Sequence, residues 1–288
     1  MHARHSAAAA VILVAALGCS SLHTPSGTDS PLPPPGPAAT EPAQLVLPMD
    51  AYTLNERDAA LISTAEDRLI QACMARHHQR WPLLDHSAPT PMPNQNRYGL
   101  TDATAAEQLG YHPPPDPQAD RQEAQHTARD TALTTAQQAA AYGPDGQSGC
   151  HAQARRALLR GVPQADWNLL DRLTADSYAR SRRTTQVVTA IRAWSACMNR
   201  AGHDYADPMD ANDDPRWDTP QPSLDEIATA RTDVQCTQRT AVVLTWWKAE
   251  TAIQRKLTAA HREHLHALSQ AREGYLANAR DLEGQGLE

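Results

Sequence analysis

The sequence predicts an all-α ectodomain, and three observations carry that reading. Asp50 to Trp81, Gln118 to Tyr142, Gln164 to Ala201 and Ser223 to Glu273 contain neither Gly nor Pro. Stretches of that length without a breaker suit helices and are too long for strands. Thr53-Leu-Asn-Glu56 and Ser223-Leu-Asp-Glu226 each place a hydroxyl at a helix start and a carboxylate three residues on. Such a capping box satisfies free backbone donors of the first turn. In the last stretch Val242, Trp246, Ala249, Ile253, Leu257, Ala260, His264, Leu268, Ala271 and Tyr275 step by threes and fours. That period predicts one apolar stripe along a nearly straight helix. The segment "AVVLTWW" reads as a buried strand only if taken alone, because no turn chemistry bounds it.

The amino terminus sets the location. Met1 to Ser6 carries one fixed positive charge, Arg4, and Ala7 to Leu17 is an unbroken apolar run. That run is too short for a membrane-spanning helix, which needs about 20 residues, and the layout is that of a secretory signal. Ala16-Leu17-Gly18-Cys19 resembles the lipobox of bacterial lipoproteins. The resemblance implies cleavage before Cys19 and a diacylglyceryl group on its sulfur, so residues 1–18 are read as a signal peptide. Two or more acyl chains anchor a protein stably where one does not. The expected location is the outer face of the cytoplasmic membrane, with membrane lipid as the first partner. From Cys19 to Pro48 the chain is polar and holds eight prolines, including "PLPPPGP". It cannot repay the entropy of folding and is read as a disordered Pro-rich tether with an upper reach of roughly 85 Å.

Composition limits the core available beyond the tether. Ala makes up 51 of 288 residues, Phe is absent and aromatics are only 5%, so apolar burial per residue is low. Exported proteins with thin cores are commonly reinforced by disulfides. Without residues 1–18 there are 25 basic and 33 acidic side chains, a net charge of about −8. This excludes nucleic acid as a nonspecific partner, since such binding needs a clustered positive surface.

The ordered part divides into a unit at 49–162 and a second at 163–288 that ends in a long C-terminal helix. "QACMARHH" and "WSACMNRAG" repeat a Cys-Met-x-Arg core. In the second, Val187, Ile191, Trp194 and Met198 share a helical face, Cys197 points to the core, and Gly202 is the natural C-cap. In the first, Leu61, Ala65, Leu69 and Cys73 lie near one face. Four cysteines besides Cys19 imply two disulfides, for which three pairings exist. The duplicated core favours Cys73 with Cys150 and Cys197 with Cys236, each unit closing on itself. Met74 and Met198 fill space beside the bridges. A zinc site would want close C-x2-C pairs, which are missing, and no cofactor is implied.

The "CM" helix ends, "RYGLTDATAAEQLGYH" at Arg97 to His112, the Gly149-Cys150 turn and "DVQC…WWKAE" together resemble a group of uncharacterised exported lipoproteins of actinomycetes. The resemblance covers most of the chain after Leu47 and implies no activity. His78 stands where the group's pattern has glycine, so the first Cys-Met helix is expected to end differently.

Three constellations bear on chemistry. His261, His264 and His266 offer an i, i+3 pair for a metal, but HExxH is missing and His264 falls on the apolar stripe. The loop "DYADPMDANDDPRWD" puts Asp210, Asn212, Asp214 and Asp218 at calcium-loop positions. Pro215 takes the place of the obligatory glycine, and Gln221 replaces the bidentate glutamate. Paired carboxylates such as Asp204 and Asp207 could serve a cell-wall hydrolase, but solvated loop acids are commonplace and nothing in the sequence fixes a separation. His77 and His78, beside Arg76, read as an exposed helix end. A ligand pocket, if present, would gather His203, Asp204, Asp207, Trp246 and Trp247. The reading is a binding or structural module of the envelope whose partner is an envelope protein or cell-wall component, with no catalytic and no metal-ligating residue assigned. The alternative is an envelope enzyme that uses the acidic loop or the histidines.

Overall fold

Pairs of helices stapled by two disulfides organise the chain, as seen in a computed structural model that describes residues 45–88, 94–146 and 148–284. The signal peptide, Cys19 and the tether as far as residue 44 lie outside the described residues. The described helices fall within one compact unit. Eleven α-helices come after a short apolar segment and a 3-10 helix: α1 Glu56–Arg76, α2 Ala103–Leu109, α3 Pro117–Ala132, α4 Thr135–Tyr142, α5 Cys150–Leu158, α6 Leu169–Arg182, α7 Thr185–Arg200, α8 Pro208–Asn212, α9 Leu224–Thr240, α10 Val242–Ala260 and α11 Arg262–Gly284. Among the described residues there is no strand, only one isolated bridge between Arg97 and Gly99. None of these helices is long and apolar enough to cross a membrane.

α10 is the central element. It packs between α6 and α7, while α9 lies on α7 and α2, and α11 lies on α1 and α5. The C-terminal helix therefore covers the first helix, and the stretches 49–162 and 163–288 share packing across their boundary. The main core gathers Trp194, Trp246, Val187, Met198 and Tyr98 around the Cys197–Cys236 bridge, with Ile191 packed at its edge. A smaller core of Ile70, Met74, Trp81 and Ala141 surrounds the Cys73–Cys150 bridge. Cα–Cα separations of 5.6 and 5.7 Å suit the two bridges. Both pairings agree with the duplicated-core argument, and disulfides of this kind fit an oxidising extracytoplasmic location.

Four local expectations need correction. The end of the segment assigned to the tether is anchored: Leu45 and Leu47 are buried, with Val46 exposed between them, and Pro48 opens the 3-10 helix at Pro48–Tyr52. Their apolar side chains gain more from burial than the prolines upstream could. The first capping box is displaced. Asn55 caps α1 by accepting from the Asp58 N–H, while Thr53 closes the 3-10 helix instead. Ser223 and Glu226 do form the predicted box on α9.

The last breaker-free stretch is three helices rather than one. Ala241 adopts a left-handed conformation (φ +50) between α9 and α10, and His261 (φ −110) separates α10 from α11. The predicted stripe is buried at Val242, Trp246, Ala249 and Leu257, lapses at the exposed Ala260 and His264, and is buried again at Leu268 and Ala271. After the break Leu265 takes the buried place that the stripe gave to His264. The chain leaves α6 and α7 for α1 at this point, so the break falls where the packing partner changes.

Finally, the first Cys-Met helix ends as the second does, despite His78. The Gln79 N–H donates to Met74 O (2.9 Å) and the His78 N–H to Ala75 O (2.9 Å). His203 and Gly202 repeat this on Met198 and Asn199, both at 3.0 Å. Each is a Schellman turn, with His78 (φ +57) and Gly202 (φ +93) at the left-handed position.

Candidate functional site

The segment Arg97 to His112 straps three acidic side chains that are wholly buried: Glu250 on α10, and Glu226 and Asp233 on α9. A buried carboxylate must be paired and hydrogen-bonded or it neutralises. Glu250 receives Arg97 through two guanidinium nitrogens, at 3.1 Å to Oε2 and 2.6 Å to Oε1. Tyr98 Oη donates to Oε2 (2.8 Å) and Gln254 Nε2 to Oε1 (3.0 Å), with Ser177 Oγ 2.8 Å from Oε1. Gln254 Oε1 in turn accepts the Met49 N–H (2.9 Å), which pins the 3-10 helix. Arg97 also lies 5.1 Å above the Tyr178 ring. Burial and the neighbouring Glu250 charge push the Tyr98 hydroxyl far above its ordinary pKa, so it stays a donor.

At the other end of the strap, Glu226 accepts the Tyr111 N–H (2.9 Å) and meets His112 Nδ1 (2.7 Å). His112 Nε2 faces the Thr219 carbonyl (2.7 Å). Acceptors at both ring nitrogens favour imidazolium, and the Thr219 carbonyl together with Glu226 raises the His112 pKa. Gly110 (φ +61) is needed here because a Cβ would stand 2.6 Å from Glu226 Oε1. Asp233 accepts from Trp194 Nε1 (2.7 Å) and Tyr111 Oη (3.1 Å), yet burial still pushes its carboxyl up to about 6.

The first unit holds a matching acid. Asp67 accepts from Trp81 Nε1 (2.7 Å), Arg129 Nη1 (2.8 Å) and the Leu84 N–H (2.9 Å). Burial raises its carboxyl, but these bonds outweigh that and hold it below the usual carboxylate range. Arg129 stacks 4.3 Å above Trp81 and ties down α3, a helix without a buried residue whose Gln118 and Gln122 also donate to the Ser87 carbonyl.

The residues singled out from sequence are placed differently from a shared pocket. Trp246 is fully buried and donates to Ser181 Oγ (2.8 Å), while Trp247 donates to Val46 O (3.0 Å). Asp207 caps α8 through the Met209 N–H (2.9 Å) and pairs with Arg182 (2.8 Å), so it is a joint between loop and α6. Arg182 also lines an open surface concavity with Tyr178, Ala179, Arg183 and Val188. Asp214 caps a 3-10 turn at Pro215–Trp217 and holds Arg216 (2.8 Å) and Tyr205 Oη (2.7 Å). The Arg216 hydrogen bonds bring its carboxyl down to about 2. Asp204, Asp210 and Asp218 are exposed, and the Asn212 amide donates to Asp213. His203 meets Thr229 Oγ1 at 3.3 Å. The His261 and His264 rings sit 6.3 Å apart, edge to face, and His266 is exposed.

The motifs at Arg97 to His112 and "WWKAE" stand out in the sequence, whereas the roles of Glu250, Glu226, Asp233 and Asp67 do not. A signal for Glu250 did exist: it lies four residues after the buried Trp246, on the apolar side of its helix. No known protein family, curated protein or solved structure matches the chain.

Proposed function

We propose that this chain is an exported lipoprotein, held at the outer face of the cytoplasmic membrane by Cys19, whose all-helical ectodomain is a binding or structural module of the cell envelope. The observation that carries the reading is the use made of its acids. Asp67, Glu226, Asp233 and Glu250 are sealed inside and tie distant segments together. Asp207, of the carboxylate pair, and Asp214, of the calcium-like loop, are engaged as helix caps and arginine partners. Polar groups spent this way specify a rigid body rather than present a reactive surface. The signal-like segment and Cys19 supply the anchoring half of the proposal.

Detergent phase partition in a bacterial host tests the anchor. The wild type should enter the detergent phase, and Cys19→Ser should leave an unprocessed or released chain; equal membrane retention of both forms would refute it. Retention of an intact fold in Asp204→Asn and Asp207→Asn, with loss of a measurable cell-wall hydrolysis, would favour the enzymatic alternative instead.

A further inference from the structure

The first bridge has a neighbour that the second lacks. His77 stands one helical turn after Cys73, and a ring nitrogen of His77 and the two sulfurs of Cys73 and Cys150 all lie within 4.8 Å of one another. At the second bridge the residue four after Cys197 is Ala201. The two helix ends are otherwise alike, since both carry the Cys-Met-x-Arg core and close in the same turn. Cys73 and Cys150 are 1% and 0% exposed, whereas His77 is exposed. The imidazole therefore forms the solvent-facing side of an otherwise sealed sulfur pair. Arg76, the nearest cation in sequence, turns back to the Ala72 carbonyl (3.2 Å) and Gln153 (3.4 Å).

We propose that opening the Cys73–Cys150 bridge creates a site for Zn²⁺, with two thiolates and the His77 imidazole as ligands and the fourth position open to water on the His77 side. Residues i and i+4 of a helix share a face, so Cys73 and His77 converge from one element. Cys150 supplies the second sulfur from the first turn of α5, where the helix terminus favours a thiolate. Tetrahedral zinc with bonds of about 2.3 Å to sulfur and about 2.0 Å to nitrogen sets its ligand atoms about 3.5–3.8 Å apart. Rotation of the cysteine side chains provides that spacing over a Cα–Cα separation of 5.6 Å. A dithiol reductant opens the bridge: its two electrons and two protons pass to Cys73 and Cys150, and it closes to a disulfide. Zn²⁺ then displaces the two thiol protons to solvent, and His77 donates a ring lone pair. The oxidised chain has no thiolate to offer, so metal binding is gated by redox state.

The test uses the full chain carrying Cys19→Ser, in which all thiols come from the two bridges. After anaerobic reduction and removal of the reductant, Co²⁺ is titrated as a spectroscopic probe and then displaced by Zn²⁺. One Co²⁺ per chain with a thiolate charge-transfer band is expected in the reduced protein and none in the oxidised one. Cys197→Ser with Cys236→Ser should keep the band, and Cys73→Ser with Cys150→Ser should abolish it. Losing a mere outer-shell partner costs about 10- to 100-fold in affinity, so His77→Ala, losing a ligand, should weaken binding by at least about 10-fold. His77→Ala should leave the oxidised melting temperature unchanged, since the side chain is exposed. Absence of the band, a band that follows Cys197 and Cys236, or equal Co²⁺ affinity with and without His77 overturns the proposal. A reduced chain that has lost its helical circular dichroism and binds Co²⁺ irrespective of His77 overturns it equally.

Discussion

Gly202 and His78 occupy the same left-handed position of the same turn, at φ +93 and +57. An L-residue there is strained by about 1–2 kcal/mol, which glycine escapes. A Cβ at Gly202 would meet nothing within 4 Å, so backbone strain is the whole cost of adding one. His78→Gly should therefore stabilise the protein by about 1 kcal/mol and Gly202→Ala should destabilise it by a similar amount, read from urea midpoints; opposite signs would mean that His78 makes a compensating contact. Asp233 gives a second residue-scale prediction. Its folded pKa is raised to about 6 from 3.8. The native state thus binds this proton more tightly than the unfolded chain does. The contribution is fully favourable below about pH 4, is lost as pH rises to about 6, and is flat above. About two pKa units correspond to about 3 kcal/mol. Asp233→Asn keeps an oxygen for Trp194 and Thr237, so its stability should lose this fall between about pH 4 and about pH 6. Parallel wild-type and variant profiles in urea unfolding would contradict the assignment.

At the scale of elements, the Arg97 to His112 strap is held by charge at its two ends and by apolar contact between them, where Leu100 and Ala106 pack on Ala230 and Val234. Its ends grip Glu250 and Glu226, while Tyr98 and Tyr111 bring the aromatic bulk that a chain without Phe must find elsewhere. Removing one partner of a buried pair leaves an uncompensated charge, at a cost of about 3–5 kcal/mol. Arg97→Ala should cost that much in chemical denaturation. Replacement of both partners, Arg97→Met with Glu250→Gln, should restore most of it because no charge is then left buried. A loss below about 1 kcal/mol in Arg97→Ala would mean that water reaches Glu250. The breaks at Ala241 and His261 belong to the same scale. Neither position carries Gly or Pro, so local propensity gives no reason to stop. The helix ends because its neighbours change: α9 serves α2 and α7, α10 serves α6 and α7, and α11 serves α1 and α5.

For the whole molecule the bridges dominate. In the chain-entropy view, loops with sequence separations of 39 and 77 contribute about 4 and about 4.5 kcal/mol. Total stability is typically only about 5–15 kcal/mol, and the two values do not simply add where the units pack on each other. Reduction should lower the melting temperature strongly. Cys197→Ser should destabilise about as much as the double change with Cys236→Ser, because either removes the same crosslink between α7 and α9. A single variant much worse than the double one would show that a buried free thiol, rather than the lost bridge, sets the cost.

Local sequence was enough to determine the helical class and the burial of Cys197, Met198, Cys73 and Met74, and to favour the observed pairing among three. These follow from short-range rules: absence of breakers, apolar period and a repeated Cys-Met core that closes each unit on itself. Long-range packing settled where the last three helices divide and which acids are buried. Each of those depends on partners far along the chain, such as Arg97 and Glu250 separated by 153 residues. An acidic residue looks the same in sequence whether it faces water or a guanidinium, since only the packing of distant elements sets the dielectric around it and supplies the charge that it needs.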